Sequence, residues 1–133
     1  MSRLSSDRCP CDSGMVFGSC CEPIIRRVKN APTAQALMRS RYSAFCVGDC
    51  EYLLYSWAPE TAPDDLELDE DLRWERLEIL DTSQGGLWDQ FGTVSFVAHY
   101  CFVDNSQARG LQREISNFRR YEGRWVYVDG VVS

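Results

Sequence analysis

Four cysteines near the start of the chain have the type and spacing of a metal site. Cys9 and Cys11 are separated by one residue, and the adjacent pair Cys20 and Cys21 follows after eight further residues. Thiolates are the ligands that Zn²⁺ takes in closed tetrahedral sites, and the Asp-Ser-Gly sequence at 12–14 can turn the chain back. So short a stretch cannot stabilise itself by apolar burial. The sequence therefore predicts a structural zinc centre that folds this segment.

Other uses of these thiols are weaker. A disulfide framework needs an oxidising compartment and usually an even cysteine count, whereas this chain has seven cysteines and no apolar secretory segment after Met1. A redox Cys-x-Cys at 9–11 leaves the pair at 20–21 without a purpose. The spacing matches neither ferredoxin pattern of iron–sulfur ligands. With four protein ligands the metal has no open position, so we expect it to be architectural.

Chemistry elsewhere in the chain centres on one arginine. In a helix, Arg41 shares a stripe with Leu37 and Phe45, so it points where apolar residues point. His99 is the only histidine and falls on the less bulky face of its strand, with no nucleophile nearby. The sequence predicts no catalytic residue.

Helices must position this arginine. The spacing predicts a helix over 34–45, with Thr33 as its N-cap and Gly48 closing the pattern. Asp49 can cap a second short helix over 50–58, which Pro follows.

The second half of the chain switches to the period-two pattern of strands. Strands are predicted over 74–81, 93–103, 111–121 and 124–129, the last two joined by a hairpin turn at Glu122-Gly123. Helices followed by strands indicate an α+β protein, with an antiparallel sheet covered on one side by the helices.

Charge is distributed unevenly along the 133 residues. The formal net charge is −6, with seven basic and three acidic residues in 1–41 and seven against seventeen in the remainder. So acidic a domain repels a phosphate backbone, and we expect no bulk nucleic-acid binding. No apolar run approaches the roughly 18 residues of a membrane span, which favours a cytoplasmic protein.

The cysteine segment resembles a known motif. The run CPCDSG at 9–14, followed by CC at 20–21, is similar to the SEC-C motif at the C-terminus of the SecA translocation motor. The resemblance implies zinc, with iron as the alternative metal, and docking to a protein or ribosomal partner. Asp12 stands where the motif usually has glycine. Residues that are often lysines are replaced here by Met15, Val16, Gly18 and Ser19.

Two further segments resemble the YchJ-like family of bacterial proteins. They are LMRSRYSAF at 37–45, and EISNF at 114–118 with GRWVYVDG at 123–130. The resemblance implies a SEC-C knot over 1–24, then a nuclear-transport-factor-2-like (cystatin-like) domain over 32–133. In such a domain the helices pack on a curved antiparallel sheet to form a cone.

The implied cone would bring polar and aromatic side chains together. A buried arginine needs a partner, and we expect Arg41 to bind a carboxylate, Glu114 first and Asp129 next. Aromatic walls with a few polar groups suit a small ligand. The pocket candidates are Arg41, Tyr42, Trp57, Glu114, Ser116, Tyr127 and Asp129. The alternative is an internal ion pair that fixes the helix on the sheet.

Three functions fit these features. The favoured one is a non-catalytic adaptor whose zinc knot docks to a protein, the ribosome or the secretion machinery. The second is a small-molecule binder or enzyme that uses the cone pocket, and the third is a thiol redox protein. The resemblance also implies a homodimer through the open sheet face. We expect knot and cone to have separate sources of stability, so metal removal should unfold 1–24 and leave the cone folded.

Overall fold

The computed structural model describes residues 5–104 and 106–132. Within that part of the chain, three α-helices precede four β-strands. They are α1 (Glu22–Ile25), α2 (Ala34–Val47), α3 (Cys50–Tyr55), β1 (Leu72–Gln84), β2 (Phe91–Phe102), β3 (Arg109–Tyr121) and β4 (Arg124–Val132). The strands form one antiparallel sheet in the order β1-β2-β3-β4. The predicted α+β class, with helices on an antiparallel sheet, is confirmed.

The ends of α2 follow from local chemistry. The Thr33 hydroxyl accepts a hydrogen bond from the backbone N–H of Ala36 at 3.0 Å, which satisfies a free donor of the first turn. Gly48 ends the helix in the left-handed region, with φ of 77°, a conformation that costs glycine little. Asp49 then caps α3 by accepting from the N–H of Tyr52.

Helix α3 was predicted to extend to residue 58, but it ends at Tyr55 because the residues that follow it hydrogen-bond to the sheet. The N–H of Ala58 donates to the carbonyl of Tyr127 at 2.7 Å, and the N–H of Tyr127 donates to the carbonyl of Ser56 at 2.8 Å. These bonds tie the end of α3 to β4. They place Trp57 beside the inner face of the sheet.

The sheet bends around the helices. Val94, Phe96 and Ala98 alternate along β2 and are buried on its inner face, as the period-two pattern predicts. The pairing of β1 with β2 is irregular between Trp74 and Arg76 and again between Ile79 and Asp81. Bulges of this kind increase the local bend and twist of a sheet.

Knot and cone share one hydrophobic core. The buried cluster runs from Cys11, Phe17 and Ile24 in the N-terminal segment to Leu37 in α2 and Trp125 in β4. Phe17 is 5% exposed and Ile24 is 7% exposed. The expectation that the two parts have separate sources of stability is therefore wrong, because the knot buries apolar side chains against the cone.

No helix in residues 5–104 or 106–132 is both long enough and apolar enough to cross a membrane.

Candidate metal centre and cone cavity

The four predicted cysteine ligands converge on one point. The Sγ atoms of Cys9, Cys11, Cys20 and Cys21 all lie within 4.8 Å of one another. The Cys11–Cys20 distance is 3.6 Å and the Cys20–Cys21 distance is 3.9 Å, and none of the four is in a disulfide. The chain reverses between the two pairs through an antiparallel bridge, with the N–H of Cys9 donating to the carbonyl of Met15.

The arrangement fits a tetrahedral metal ion. Four sulfurs at about 2.3 Å from a zinc ion lie roughly 3.8 Å from each other, close to the separations found here. Two hydroxyls approach the sulfurs, Ser13 Oγ at 3.1 Å from Cys20 and Ser43 Oγ at 3.4 Å from Cys9. Such outer contacts orient thiolate ligands. The group is thus compatible with metal binding.

The thiols cannot all ionise without a cation. Hydrogen bonds from the Cys21 and Cys9 thiols lower the pKa of Cys11. The hydrogen bond to Cys11 raises the pKa of Cys21, and burial raises the pKa of Cys20 to about 11. Four neighbouring thiolates are therefore disfavoured without a counter-charge, and a divalent cation would displace the thiol protons.

Besides the contact between Cys9 and Ser43, two further polar contacts attach the knot to the cone within the described residues. Arg39 on α2 donates to the carbonyl oxygen of Cys11 at 2.6 Å. The Asp12 carboxylate accepts from the backbone N–H of Leu77 at 2.8 Å. Because β1 is an edge strand, this carboxylate covers a donor that the sheet leaves open.

Asp12 occupies a left-handed conformation, with φ of 63°. Glycine adopts this conformation without cost, which explains why glycine suits the corresponding position of the motif. Aspartate tolerates the region better than most side chains. The departure from glycine at this position supplies the carboxylate that reaches Leu77.

The second candidate site is a cavity of about 130 Å³ between α2 and the inner face of the sheet. Five of the seven candidate residues line it, together with aromatic and aliphatic side chains. The full lining is Met38, Arg41, Tyr42, Phe45, Trp57, Trp74, Phe96, Ala98, Gln112, Glu114 and Tyr127. The cavity is therefore mostly aromatic, with one cation and one anion in its wall.

Arg41 is buried, at 3% exposure, but it does not bind a carboxylate. One terminal nitrogen donates to the carbonyl of Leu53 at 2.8 Å and to Ser56 Oγ at 2.7 Å. Its guanidinium carbon lies 4.9 Å from the ring centre of Trp57 and 4.6 Å from that of Tyr127. The predicted hydrogen bond to Glu114 or Asp129 is wrong, because the acceptors that bind the guanidinium are the carbonyl of Leu53 in α3 and the hydroxyl of Ser56 just after it.

Burial sets the electrostatics of this cation. Desolvation lowers the pKa of Arg41 to about 10, while Tyr127, Tyr52 and Glu114 oppose that shift. The guanidinium therefore remains charged at neutral pH. Burial also raises the pKa of Tyr127 to about 12, so its hydroxyl stays protonated.

Glu114 is held from three sides. Its carboxylate accepts hydrogen bonds from the hydroxyl of Ser116 and, at 3.4 Å, from the amide of Gln112. A Cβ added to Gly130 would lie 2.4 Å from Glu114 Oε2, so the side chain lies across the backbone of β4 at a glycine. Ser116 is fully buried and acts on the cavity through Glu114.

Asp129 lies outside the cavity. A bulge pairs Asn117 with Asp129 but Phe118 with Tyr127, so the alternation of β4 breaks after Tyr127. Asp129 is exposed and accepts from the Asn117 amide at 2.7 Å. The prediction that Asp129 is a pocket residue is wrong, because simple alternation along β4 does not anticipate the bulge.

Sequence reasoning missed several cavity residues. Trp74 makes edge-to-face contacts with Tyr42 and Phe45, at centroid distances of 6.4 Å for each. Gln112 lies on β3, two residues before Glu114, and this alternate spacing was a usable signal. His99 lies outside the cavity and bonds to Glu78 at 2.7 Å.

Comparison with known proteins agrees with this architecture. Residues 33–130 match the family described as YchJ, middle NTF2-like domain, and residues 6–23 match the SEC-C motif. A UPF0225 protein of Corynebacterium glutamicum is 48% identical over 125 residues, covering 94% of this chain and 97% of its own length. A UPF0225 protein of Streptomyces coelicolor is 46% identical over 122 residues, with 92% and 93% covered.

Solved structures have the same fold. A SEC-C motif containing protein from Rhodopseudomonas palustris has a TM-score of 0.81 at 31% identity, covering 94% of this chain and 98% of its own. A second, from Psychrobacter arcticus, has a TM-score of 0.77 at 24% identity over 98% and 86% of the two chains. The protein is a SEC-C knot joined to a nuclear-transport-factor-2-like cone. It belongs to the YchJ-like, UPF0225 family.

Proposed function

We propose that this protein is a non-catalytic zinc-binding adaptor. Zinc folds the knot, the knot docks to a protein partner, and the cone is its scaffold. The observation that supports this role is the two-sidedness of the knot. Its inner side packs on the cone through Phe17, while Met15 is 50% exposed and Val16 is 43% exposed.

The chemistry of this outer side favours a protein surface over ribosomal RNA. Met15 and Val16 stand where related motifs often carry lysines, so the exposed tip is apolar rather than basic. Lysines would contact phosphates as point charges, whereas exposed apolar side chains are buried best against an apolar pocket. We therefore propose a protein partner, in the cytoplasm, with an apolar recess.

Metal content tests the first half of the proposal. We expect about one zinc ion per chain in purified protein, bound by four thiolates. Elemental analysis with X-ray absorption measures metal identity and the metal–sulfur distance. Iron in place of zinc would change the identity of the metal without affecting docking. Four free thiols that form disulfides under mild oxidation would support the redox alternative instead.

Docking is tested with zinc-loaded full-length protein as bait. The variant Met15→Glu/Val16→Glu changes only the exposed tip, and Val28→Glu/Leu80→Glu is the matched control because both of its positions are exposed outside the knot. We expect the tip variant to lose partner proteins that the wild type and the control retain. Co-sedimentation with purified ribosomes and pull-down of the purified secretion motor test those two partners directly. Equal retention by all three proteins would contradict docking through the knot.

A further inference from the structure

The cone cavity contains two opposite charges that do not meet. Arg41 and Glu114 line the same space of about 130 Å³, yet they form no ion pair within the described part of the chain. Opposite charges in a low-dielectric site gain most by direct contact. Here each is instead held in place by neutral groups, and both line the same cavity.

Arg41 has donors to spare. Both of its hydrogen bonds, to Leu53 and Ser56, leave from one terminal nitrogen. The other guanidinium nitrogens make no hydrogen bond within residues 5–104 and 106–132, although the group carries five N–H donors in a planar fork. Trp57 adds a buried indole N–H that also lacks a partner there. An acceptor such as a carboxylate would satisfy the arginine fork.

Glu114 presents the opposite requirement. Ser116 and Gln112 occupy part of its acceptor capacity, but a carboxylate has about four lone-pair sites. Gly130 leaves the room in which this side chain lies. The carboxylate is therefore fixed in position, and it can still accept from an ammonium group.

The remaining wall suits a small cation as well. Phe45 and Trp74 supply ring faces and edges, and both are half-buried, so this side of the cavity opens to solvent. Aromatic faces attract alkylated ammonium groups. The wall contains one positive and one negative side chain, so a ligand with both charges preserves neutrality.

We propose that the cavity binds a small zwitterion, with its carboxylate on Arg41 and its ammonium group against Glu114 and the aromatic wall. The cavity is smaller than the roughly 300–1,000 Å³ of drug-sized sites, so the ligand is about the size of an amino acid. This site is independent of the knot and of its docking role.

A matched set of probes tests the charge requirement. Glycine, L-alanine and glycine betaine are the zwitterions. Choline has the cation without the carboxylate, and 3,3-dimethylbutyrate is the isostere of glycine betaine without the cation. Binding to zinc-loaded full-length protein is followed by the NMR signals of the Trp57 and Trp74 indoles. We expect at least one zwitterion to shift both signals. Choline and 3,3-dimethylbutyrate, which each carry only one of the two charges, should bind at least about ten-fold more weakly.

Three variants locate the site. Glu114→Gln removes the negative charge but keeps an acceptor for Ser116. Gly130→Ala keeps every charge and displaces Glu114. Asp129→Asn is the control, because that carboxylate lies next to Gly130 but faces outward. We expect the first two to raise the Kd of the best zwitterion about ten-fold and the control to leave it unchanged.

Three outcomes would overturn the proposal. One is no shift of either indole signal at about 100 mM of any zwitterion, which is the behaviour of a cavity that holds only water. Another is equal binding of 3,3-dimethylbutyrate and glycine betaine. The last is an affinity that Asp129→Asn lowers as much as Glu114→Gln does.

Discussion

Helix α2 contacts both the knot and the cavity, and the two sites arrange their buried polar groups differently. In the knot, four sulfurs converge within 4.8 Å on a point that a cation could occupy. In the cavity, neutral groups hold Arg41 and Glu114 apart. The sulfurs of the knot would therefore be brought together by an ion, whereas the charged groups of the cavity wall are held in position by neutral protein groups.

This contrast distinguishes a site that supports the fold from a site that can bind a ligand reversibly. A site whose polar groups depend on the ligand couples ligand binding to folding. A site whose polar groups are already fixed can gain or lose a ligand while the fold persists. We therefore expect metal loss to lower the stability of the whole chain. Loss of a ligand from the cavity should leave the fold intact.

The largest effect should come from Cys11→Ser. Cys11 is fully buried, belongs to the shared core and is one of the four converging sulfurs, so the change removes a candidate metal ligand and also disturbs the core. We expect zinc loss and a fall in Tm of about 10 °C or more, since 1 kcal/mol moves Tm by several degrees in a domain of this size. Calorimetry measures it, with Cys101→Ser on the outer face of β2 as the control. An unchanged Tm would mean that the metal stabilises only the knot.

The next effect is that of Phe17→Ala. This knot side chain is buried in the common core, and truncating a buried phenylalanine costs about 3–5 kcal/mol. Met15→Ala, at an exposed neighbour, should change stability by less than about 0.5 kcal/mol. Urea unfolding of zinc-loaded protein gives both values. Near-equal midpoints for the two variants would show that the knot does not stabilise the cone.

On the cavity side, Arg41→Met should cost less. The change loses two hydrogen bonds and two ring contacts, but it also removes a buried charge and leaves no carboxylate without its partner. We expect a loss of about 1–3 kcal/mol with zinc content unchanged. Urea unfolding and metal analysis of the same sample check both statements. A loss above about 5 kcal/mol would point to an ion pair with Glu114 in solution.

The smallest effect concerns the contact between the knot and the edge strand β1. Asp12→Gly keeps the left-handed backbone but loses the acceptor for Leu77, whereas Asp12→Asn keeps an acceptor oxygen. We expect Asp12→Gly to be about 1 kcal/mol less stable than Asp12→Asn. Exchange of the Leu77 amide should be faster in the glycine variant. Equal exchange rates in both variants would show that the side chain at position 12 does not protect the Leu77 amide.

Much of this molecule could be predicted because its signals are local. The candidate ligands Cys9, Cys11, Cys20 and Cys21 lie within thirteen residues, and caps such as Thr33 and Gly48 act on their neighbours. The α+β order follows from the change of periodicity.

The wrong predictions concern positions whose contacts or orientation depend on residues that are distant in the sequence. The partners of Arg41 come from the end of α3, and which acceptor reaches a buried guanidinium first depends on packing. Asp129 faces outward because of one bulge. The shared core could not be predicted from composition. Which side chains of the knot pack against the cone depends on the three-dimensional arrangement of the two parts, and the sequence pattern does not give that arrangement.

Hydrogen exchange with and without zinc tests most directly the claim that knot and cone are one folding unit. The protein is compared zinc-loaded and after chelation under reducing conditions, with amide protection read along the knot and along β2. We expect protection to fall at Val94, Phe96 and Ala98 together with the knot, because they share one core. Loss of protection confined to the knot, with β2 protected as before, would contradict it.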